Sequence, residues 1–291
     1  MKYLKVLLKG ILSLLALGWL YYKIDWEQTL PLLQRANWGW IIPAFLLFNA
    51  SQLFSTLRMG QHLRPLQVTE PISFLVQLYY RAMFFNLFLP GGIGGDGYKV
   101  WLLQKRHQTG YKSFVSAMLL DRGSGLLAIV VLLLILAGRS SWIESQFHPV
   151  FGLDFAMVIL VLAAGWGIYR FIFKKFASSF WPAIALSLTI QGTQVIVILL
   201  LLRAINVTEL PLEYSLVFLL SSIASVIPLT LGGIGIRELV FLNAAHYLPI
   251  QADQSVLVSL LFFIINGISS LVGAFVSLPD QPKETDSPMT A

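Results

Sequence analysis

Apolar residues run along this chain in long blocks. They do not alternate as in a half-buried strand, nor form the one-sided stripe of a soluble helix. Blocks of about 20 residues carry a helix across a bilayer core of about 30 Å. The pattern predicts such helices over 4–22, 39–57, 71–90, 113–137, 153–173, 181–203, 213–231 and 254–278. Two shorter apolar pieces, 93–104 and 235–246, follow Gly-rich breaks. A helix over 91–104 would be roughly 21 Å long at 1.5 Å per residue, short of the core. Segments 71–106 and 213–246 are therefore read as broken hairpins that enter and return on one side. The expected class is all-α: a polytopic integral membrane protein with six full crossings and two Gly/Pro-broken re-entrant hairpins. One transmembrane domain covers 1–279, and the polar tail 280–291 is expected to be disordered. The first block follows Lys2, Lys5 and Lys9 but has no A-x-A cleavage pattern, so it is expected to stay as an anchor helix.

Composition narrows the function. Hydrophobic residues make up 57% of the chain and charged residues 12%, against about 25% charged in an average soluble domain. A soluble globular enzyme and a disordered or fibrous chain are excluded. There are no cysteines, so disulfides, thiolate nucleophiles and cysteine metal sites are excluded too. Net charge is +6, but the placement of Lys and Arg decides orientation. With both hairpins returning, thirteen of the 20 Lys and Arg fall on the side of the N-terminus. Lys23, Arg35, Arg139 and Arg203 fall on the other, and Arg81, Arg122 and Arg237 stay within the membrane. Nine straight crossings would instead put the basic excess outside. Both termini are expected in the cytoplasm, and the membrane is expected to be the plasma membrane.

The elements form a repeat. Each half reads crossing, crossing, hairpin, crossing, over about 1–140 and 141–279. Three crossings per half is an odd number, so the halves must be inverted. Gly-Gly-Ile-Gly recurs at 91–94 and 232–235, and polar interruptions recur at Asn49–Gln52 and Gln191–Gln194. Ser124-Gly125 and Asn266-Gly267 also share this spacing. Inverted repeats with paired broken helices are typical of transporters whose site lies at the breaks.

The breaks carry the candidate chemistry. The first has Asn86, Pro90, Gly91, Gly92, Gly94, Gly95, Asp96 and Lys99; the second has Pro228, Gly232, Gly233, Gly235, Arg237 and Glu238. Proline ends a helix, and glycine permits tight turns and close approach. Asp96 is expected to cap the returning half-helix, with Lys99 one turn on. Free amides and the positive dipole end of a half-helix attract anions, and with Lys99 and Arg237 added the chemistry suits a phosphate. Arg81, Asp121 and Arg122 lie inside apolar blocks, where charge is costly and marks function by default. A structural pairing of Asp121 between helices is the competing reading. Ser113, Ala117, Asp121, Ser124 and Ala128 form a stripe suited to close helix packing. Asn266, Gln191 and Gln194 read as interhelical hydrogen-bond glue.

In this order the residues resemble the lysylphosphatidylglycerol synthase transmembrane family, also described as flippase-like domains. The matching elements are Asn86, Leu89-Pro90, Gly94-Gly95-Asp96 with Lys99, Asp121-Arg122, Pro228, Gly232-Gly233-Ile234-Gly235 and Arg237-Glu238. The resemblance covers about residues 5–278. It implies a membrane protein linked to translocation of phospholipids or lipid-linked sugars. In the synthases this region is fused to a soluble aminoacyl-transferase domain, which this sequence does not contain, so the synthase activity is not expected of it.

The expected function is a carrier or flippase that moves an anionic phospholipid or lipid-linked precursor between leaflets. The phosphate is held at the paired half-helix N-termini, and no cofactor is needed. The partner is a lipid with a phosphate head group, not nucleic acid, and a soluble partner enzyme is compatible with this reading. No catalytic residue is assigned and no metal is expected, because His62, His107, His148 and His246 are scattered in predicted loops or helix ends. Two alternatives remain. Asp25 and Glu27 could hold a divalent ion in a polyprenyl-phosphate-dependent glycosyltransferase, although no outer loop is large enough to hold an acceptor. A small-anion transporter would use the same site without a lipid.

Overall fold

The computed structural model describes residues 31, 34–88, 94–147, 153–226 and 235–278. The regular elements among them are all helical. They are α1 (Trp38–Leu63), α2 (Ile72–Phe88), α3 (Gly94–His107), α4 (Tyr111–Ala137), α5 (Ser141–Phe147) and α6 (Leu153–Gly167). There follow α7 (Phe180–Ala204), α8 (Pro211–Val226), α9 (Ile236–Ala244) and α10 (Ala252–Leu271). The first apolar block, Asp25 and Glu27, the polar tail, His148, Pro90, Gly91, Gly92, Pro228, Gly232 and Gly233 lie outside the described residues.

Five stretches are long and apolar enough to cross a membrane: Trp38–Leu66, Tyr111–Ala137, Leu153–Ile172, Lys174–Ala204 and Ala252–Phe275. The protein is a polytopic integral membrane protein. Large apolar side chains such as Phe155, Ile159, Leu160, Phe171 and Ile172 are exposed on it, as suits a surface solvated by acyl chains. The helix expected over 39–57 in fact runs to Leu63 and takes in Arg58 and His62. The apolar block stops at Arg58, but the helix does not, because Arg58 finds a buried carboxylate on α4.

The four shorter helices α2, α3, α8 and α9 occupy the two expected broken segments. The first pair is antiparallel. Phe85 packs on Tyr98, Tyr79 on Lys99 and Phe74 on Arg106, so the register falls along α3 as it rises along α2. The open ends are clamped together by Glu70, which pairs with Arg106 at 2.7 Å and His107 at 2.8 Å. Gly95 permits the close approach at the other end. A Cβ there would run into the Ala82 carbonyl and lie 2.8 Å from Asn86 Oδ1.

The described helices recur at nearly constant spacing. α1 begins at Trp38 and its counterpart α7 at Phe180; α3 begins at Gly94 and α9 at Ile236; α4 begins at Tyr111 and α10 at Ala252. The first two offsets are equal and the third differs by a single position, all close to half the chain. The equivalent helices α1 and α7 run antiparallel along each other. Asn37 N donates to the Ala204 carbonyl at one end. Gln194 reaches Ser51 in the middle, and Arg58 reaches Ser187 at the other end.

This pair crosses two apolar cores with a polar band between them. One core gathers Ala44 and Phe48 of α1, Val197 and Leu201 of α7, and Phe218, Phe241 and Phe262. The other gathers Met59 and Leu63 of α1, Phe180 and Ile184 of α7, and Leu78, Leu103 and Phe114. Between them α1 buries Ser51, Gln52, Ser55 and Thr56, and α7 buries Ser187 and Gln191. The site is built in that band.

Candidate functional site

The first half of the band holds a charge network. Arg58 Nε donates to Asp121 Oδ1 at 2.8 Å and its Nη2 to Oδ2 at 3.3 Å, a bidentate pair between α1 and α4. Arg58 Nη1 donates to Ser187 Oγ at 3.1 Å. Gly125 makes room for the guanidinium, since a Cβ there would sit 2.9 Å from Arg58 Nη1. One turn along α1, His62 is fully buried. Its Nδ1 lies 3.1 Å from the Arg58 carbonyl and its Nε2 2.9 Å from the Tyr169 hydroxyl. That hydroxyl also donates to the Leu120 carbonyl at 3.2 Å. Tyr169 stands on a π-helical segment, Ile168–Ile172, that continues α6. Such a segment is often placed at functional sites.

Asp96 and Arg122 form the second layer of the network. The Asp96 carboxylate is bound by Arg122 Nε through Oδ2, and Lys99 Nζ lies 3.4 Å from Oδ1. Lys99 is buried and rests 4.3 Å from the centroid of the Tyr79 ring. Asp96 was expected to cap α3, but its carboxylate is committed to these two cations. The Gly95 amide donates instead to Asn86 Oδ1 at 2.8 Å, from the end of α2. In the other half Glu238 does cap its helix. It accepts from the Gly235 amide at 2.9 Å through Oε2 and from Ser259 Oγ at 3.2 Å through Oε1. Gly235 itself has a positive φ, in the left-handed region that L side chains rarely adopt. Arg237 Nη1 donates to Ser221 and Ser222, each at 3.1 Å. Its guanidinium stacks on Phe218 and Phe262 at 5.0 and 4.9 Å.

Two cavities connect these parts. One of about 130 Å³ is lined by Arg58, Tyr79, Asp96, Lys99, Asp121 and Arg122, together with Met83 and Asn86. A second of about 240 Å³ is lined by Gln52, Met83, Asn86, Leu87 and Arg122 from the first half and by Ser222, Ser225, Val226, Asn266 and Ser270 from the second. Met83, Asn86 and Arg122 belong to both walls. The larger cavity thus sits where the ends of α2 and α8 meet. Its polar lining comes from both halves of the chain.

The structure therefore brings Asn86, Asp96, Lys99, Asp121 and Arg122 together. Arg237 stands one hydroxyl behind the larger cavity, through Ser222, and Glu238 lies beyond it on the α10 side. Arg81 does not join them. Its Nη1 donates to the Gly273 and Ala274 carbonyls at 3.0 and 2.8 Å, closing the end of α10. Asp121 belongs to an interhelical ion pair, the competing reading above, and also lines the smaller cavity. Arg58, His62 and Tyr169 escaped the sequence reading, Arg58 because it was counted among the loop charges. His62, read as lying in a loop or at a helix end, stands in the last turn of α1. Among the described residues no group of His, Asp or Glu is arranged to hold a metal ion.

Comparison with known proteins places the chain among membrane proteins. The chain is 25% identical over 136 residues to the UPF0104 membrane protein PH1989 of Pyrococcus horikoshii, a match covering 46% of this chain and 39% of that relative. The match thus spans well under half of the relative's length. No solved structure matches the chain. The model of the lysylphosphatidylglycerol synthase TM region matches residues 6–273, nearly the whole length, and the protein belongs to that family.

Proposed function

We propose that the protein is a carrier that moves an anionic phospholipid or lipid-linked precursor between leaflets and catalyses no covalent step. One observation supports this above all. Arg122 lines both polar cavities, inside an apolar spanning helix, where the two broken helix pairs meet. A half-buried cation beside a headgroup-sized space suits a phosphate, and the apolar outer surface suits the acyl chains. Arg122 is the phosphate contact. Arg237 adds positive charge from behind the wall, through Ser222. Asp96 holds Arg122 and Lys99 in place, and it stays paired with Lys99 when Arg122 turns to the incoming phosphate. Nucleic acid has no part in this reading, and a soluble enzyme that makes or consumes the lipid is compatible with it. The basic residues favour cytoplasmic termini in the plasma membrane.

The test is transport of acyl-labelled phosphatidylglycerol across proteoliposome membranes. A charge-assisted hydrogen bond contributes about 1.5–3 kcal/mol, so Arg122→Gln should slow transport by roughly tenfold or more. Full transport by a well-folded Arg122→Gln protein would remove this residue from the mechanism. A change in lipid mass during the assay would instead favour the transferase reading.

A further inference from the structure

The wall of the larger cavity also limits what can follow the phosphate. Apart from Arg122, its polar groups are the side-chain amides of Gln52, Asn86 and Asn266 and the hydroxyls of Ser222, Ser225 and Ser270. No carboxylate lines it among the described residues. The sequence that continues from Leu87 to Ile93, and from Val226 to Ile234, contains no acidic residue either. The nearby carboxylates are already engaged. Asp96 is bound by Arg122 and Lys99, Asp121 by Arg58, and Glu238 by the Gly235 amide and the Ser259 hydroxyl.

We propose that the site selects phosphodiesters with a neutral, polyhydroxylated head group of the glycerol or sugar kind, and rejects head groups that carry an ammonium. This rests on the carrier reading of the same site. The hydrogen-bonding inventory fits. Ser222, Ser225 and Ser270 each donate to a carbonyl of their own helix, at 2.9, 2.7 and 2.7 Å. Each oxygen keeps a lone pair with which to accept from a ligand. The Asn266 side-chain amide, which makes no hydrogen bond among the described residues, can both donate and accept. Ligand hydroxyls do both as well and match such a wall. An ammonium can only donate, and apart from the ligand's own phosphate, which Arg122 engages, it would find no carboxylate on the wall, with Arg237 behind Ser222. Burying an unpaired charge is strongly unfavourable. Size agrees: about 240 Å³ is below the roughly 300–1,000 Å³ of pockets that enclose drug-sized ligands, so a head group fits and a whole lipid does not.

The same chemistry could arrive as a lipid or as a soluble phosphodiester, so the experiment has two arms. In the first, proteoliposomes carry acyl-labelled phosphatidylglycerol, phosphatidylethanolamine or lysylphosphatidylglycerol. The expected result is phosphatidylglycerol moving at least about tenfold faster than either amine-bearing lipid. Asn266→Asp, which puts a carboxylate on the wall, should shift that ratio toward the amines by about tenfold. Asn266→Ala should slow phosphatidylglycerol with no gain for the amines, which separates a change of charge from a damaged fold. In the second arm glycerophosphoglycerol is offered in solution. If it crosses while the lipid does not, the selectivity stands and the lipid source is overturned. Equal rates for all three lipids overturn the selectivity and leave the carrier intact. Should no substrate move, native mass spectrometry of the purified protein decides. Preferential retention of phosphatidylglycerol keeps the selectivity and ends the carrier reading, and indifferent retention ends both.

Discussion

Asp96 and Glu238 occupy equivalent places in the two halves, each in the first turn of a returning short helix, and they are used differently. Glu238 turns back onto its own helix and accepts from the Gly235 amide. Asp96 turns outward and holds Arg122 of α4 and Lys99. Asn86 of α2 takes over the duty at the helix start, accepting from Gly95. The same acidic position thus closes a helix in one half and organises a cation pair in the other.

Asp96→Asn follows from that difference. The substitution removes the charge-assisted contacts to Arg122 and Lys99 and leaves the Asn86–Gly95 bond in place. Stability should fall by about 1.5–3 kcal/mol, the scale of hydrogen bonds to charged groups. Affinity for anionic lipid should rise, because the internal carboxylate no longer competes. Thermal unfolding and lipid titration of the same preparation check both. Weaker lipid binding at unchanged stability would contradict this account of Asp96.

Arg58 and Asp121 should behave as a unit. Removing one partner of a buried ion pair leaves an uncompensated charge and costs about 3–5 kcal/mol. Arg58→Met and Asp121→Leu should each be strongly destabilised, and the double variant should be more stable than either. A double-mutant cycle on thermal unfolding measures the coupling. Additive losses would mean that the two side chains act independently.

Gly95→Ala tests the packing of the first hairpin. The added methyl meets the Ala82 carbonyl and Asn86 Oδ1, backbone and a committed side chain. Relief requires α2 and α3 to separate, so expression and thermal stability should fall further than for Gly97→Ala, whose Cβ meets nothing within 4 Å. Equal stability of the two variants would refute the close approach.

Orientation can be read in this cysteine-free chain. Lys112 at the start of the long helix α4 and Ser145 in α5, past its far end, are both exposed. Single cysteines there should label from opposite sides with an impermeant reagent, Lys112→Cys from the cytoplasm. Labelling of Lys112→Cys in intact cells would invert the topology.

Much of the site was legible because charge inside an apolar block is conspicuous. Asp121 and Arg122 stood out for that reason, Asp96 and Lys99 because they follow the Gly-rich break, and the four meet. Arg58 did not, because it falls at the end of an apolar block and resembles a loop charge until its partner on α4 is known. Arg81 stood out equally and has a different use, since its partners are backbone carbonyls and no side-chain pattern records them. Asn266 was read as glue between helices but faces the cavity. One amide in an apolar helix looks the same in both roles. The half-chain spacing was visible in a few small and polar residues, and the helix starts follow it.

The antiparallel contact between α1 and α7 has a mechanical consequence. Where two helices run against each other, the contact between them can serve as a pivot, here near Ser51 and Gln194. Groups close to a fulcrum move little when the two sides tilt, and groups far from it move most. Gln52, the neighbour of Ser51 on α1, lines the larger cavity together with the ends of α2 and α8, so the site lies beside the pivot and not at the end of a lever. Tilting of the two sides would then change what surrounds the cavity more than the cavity itself.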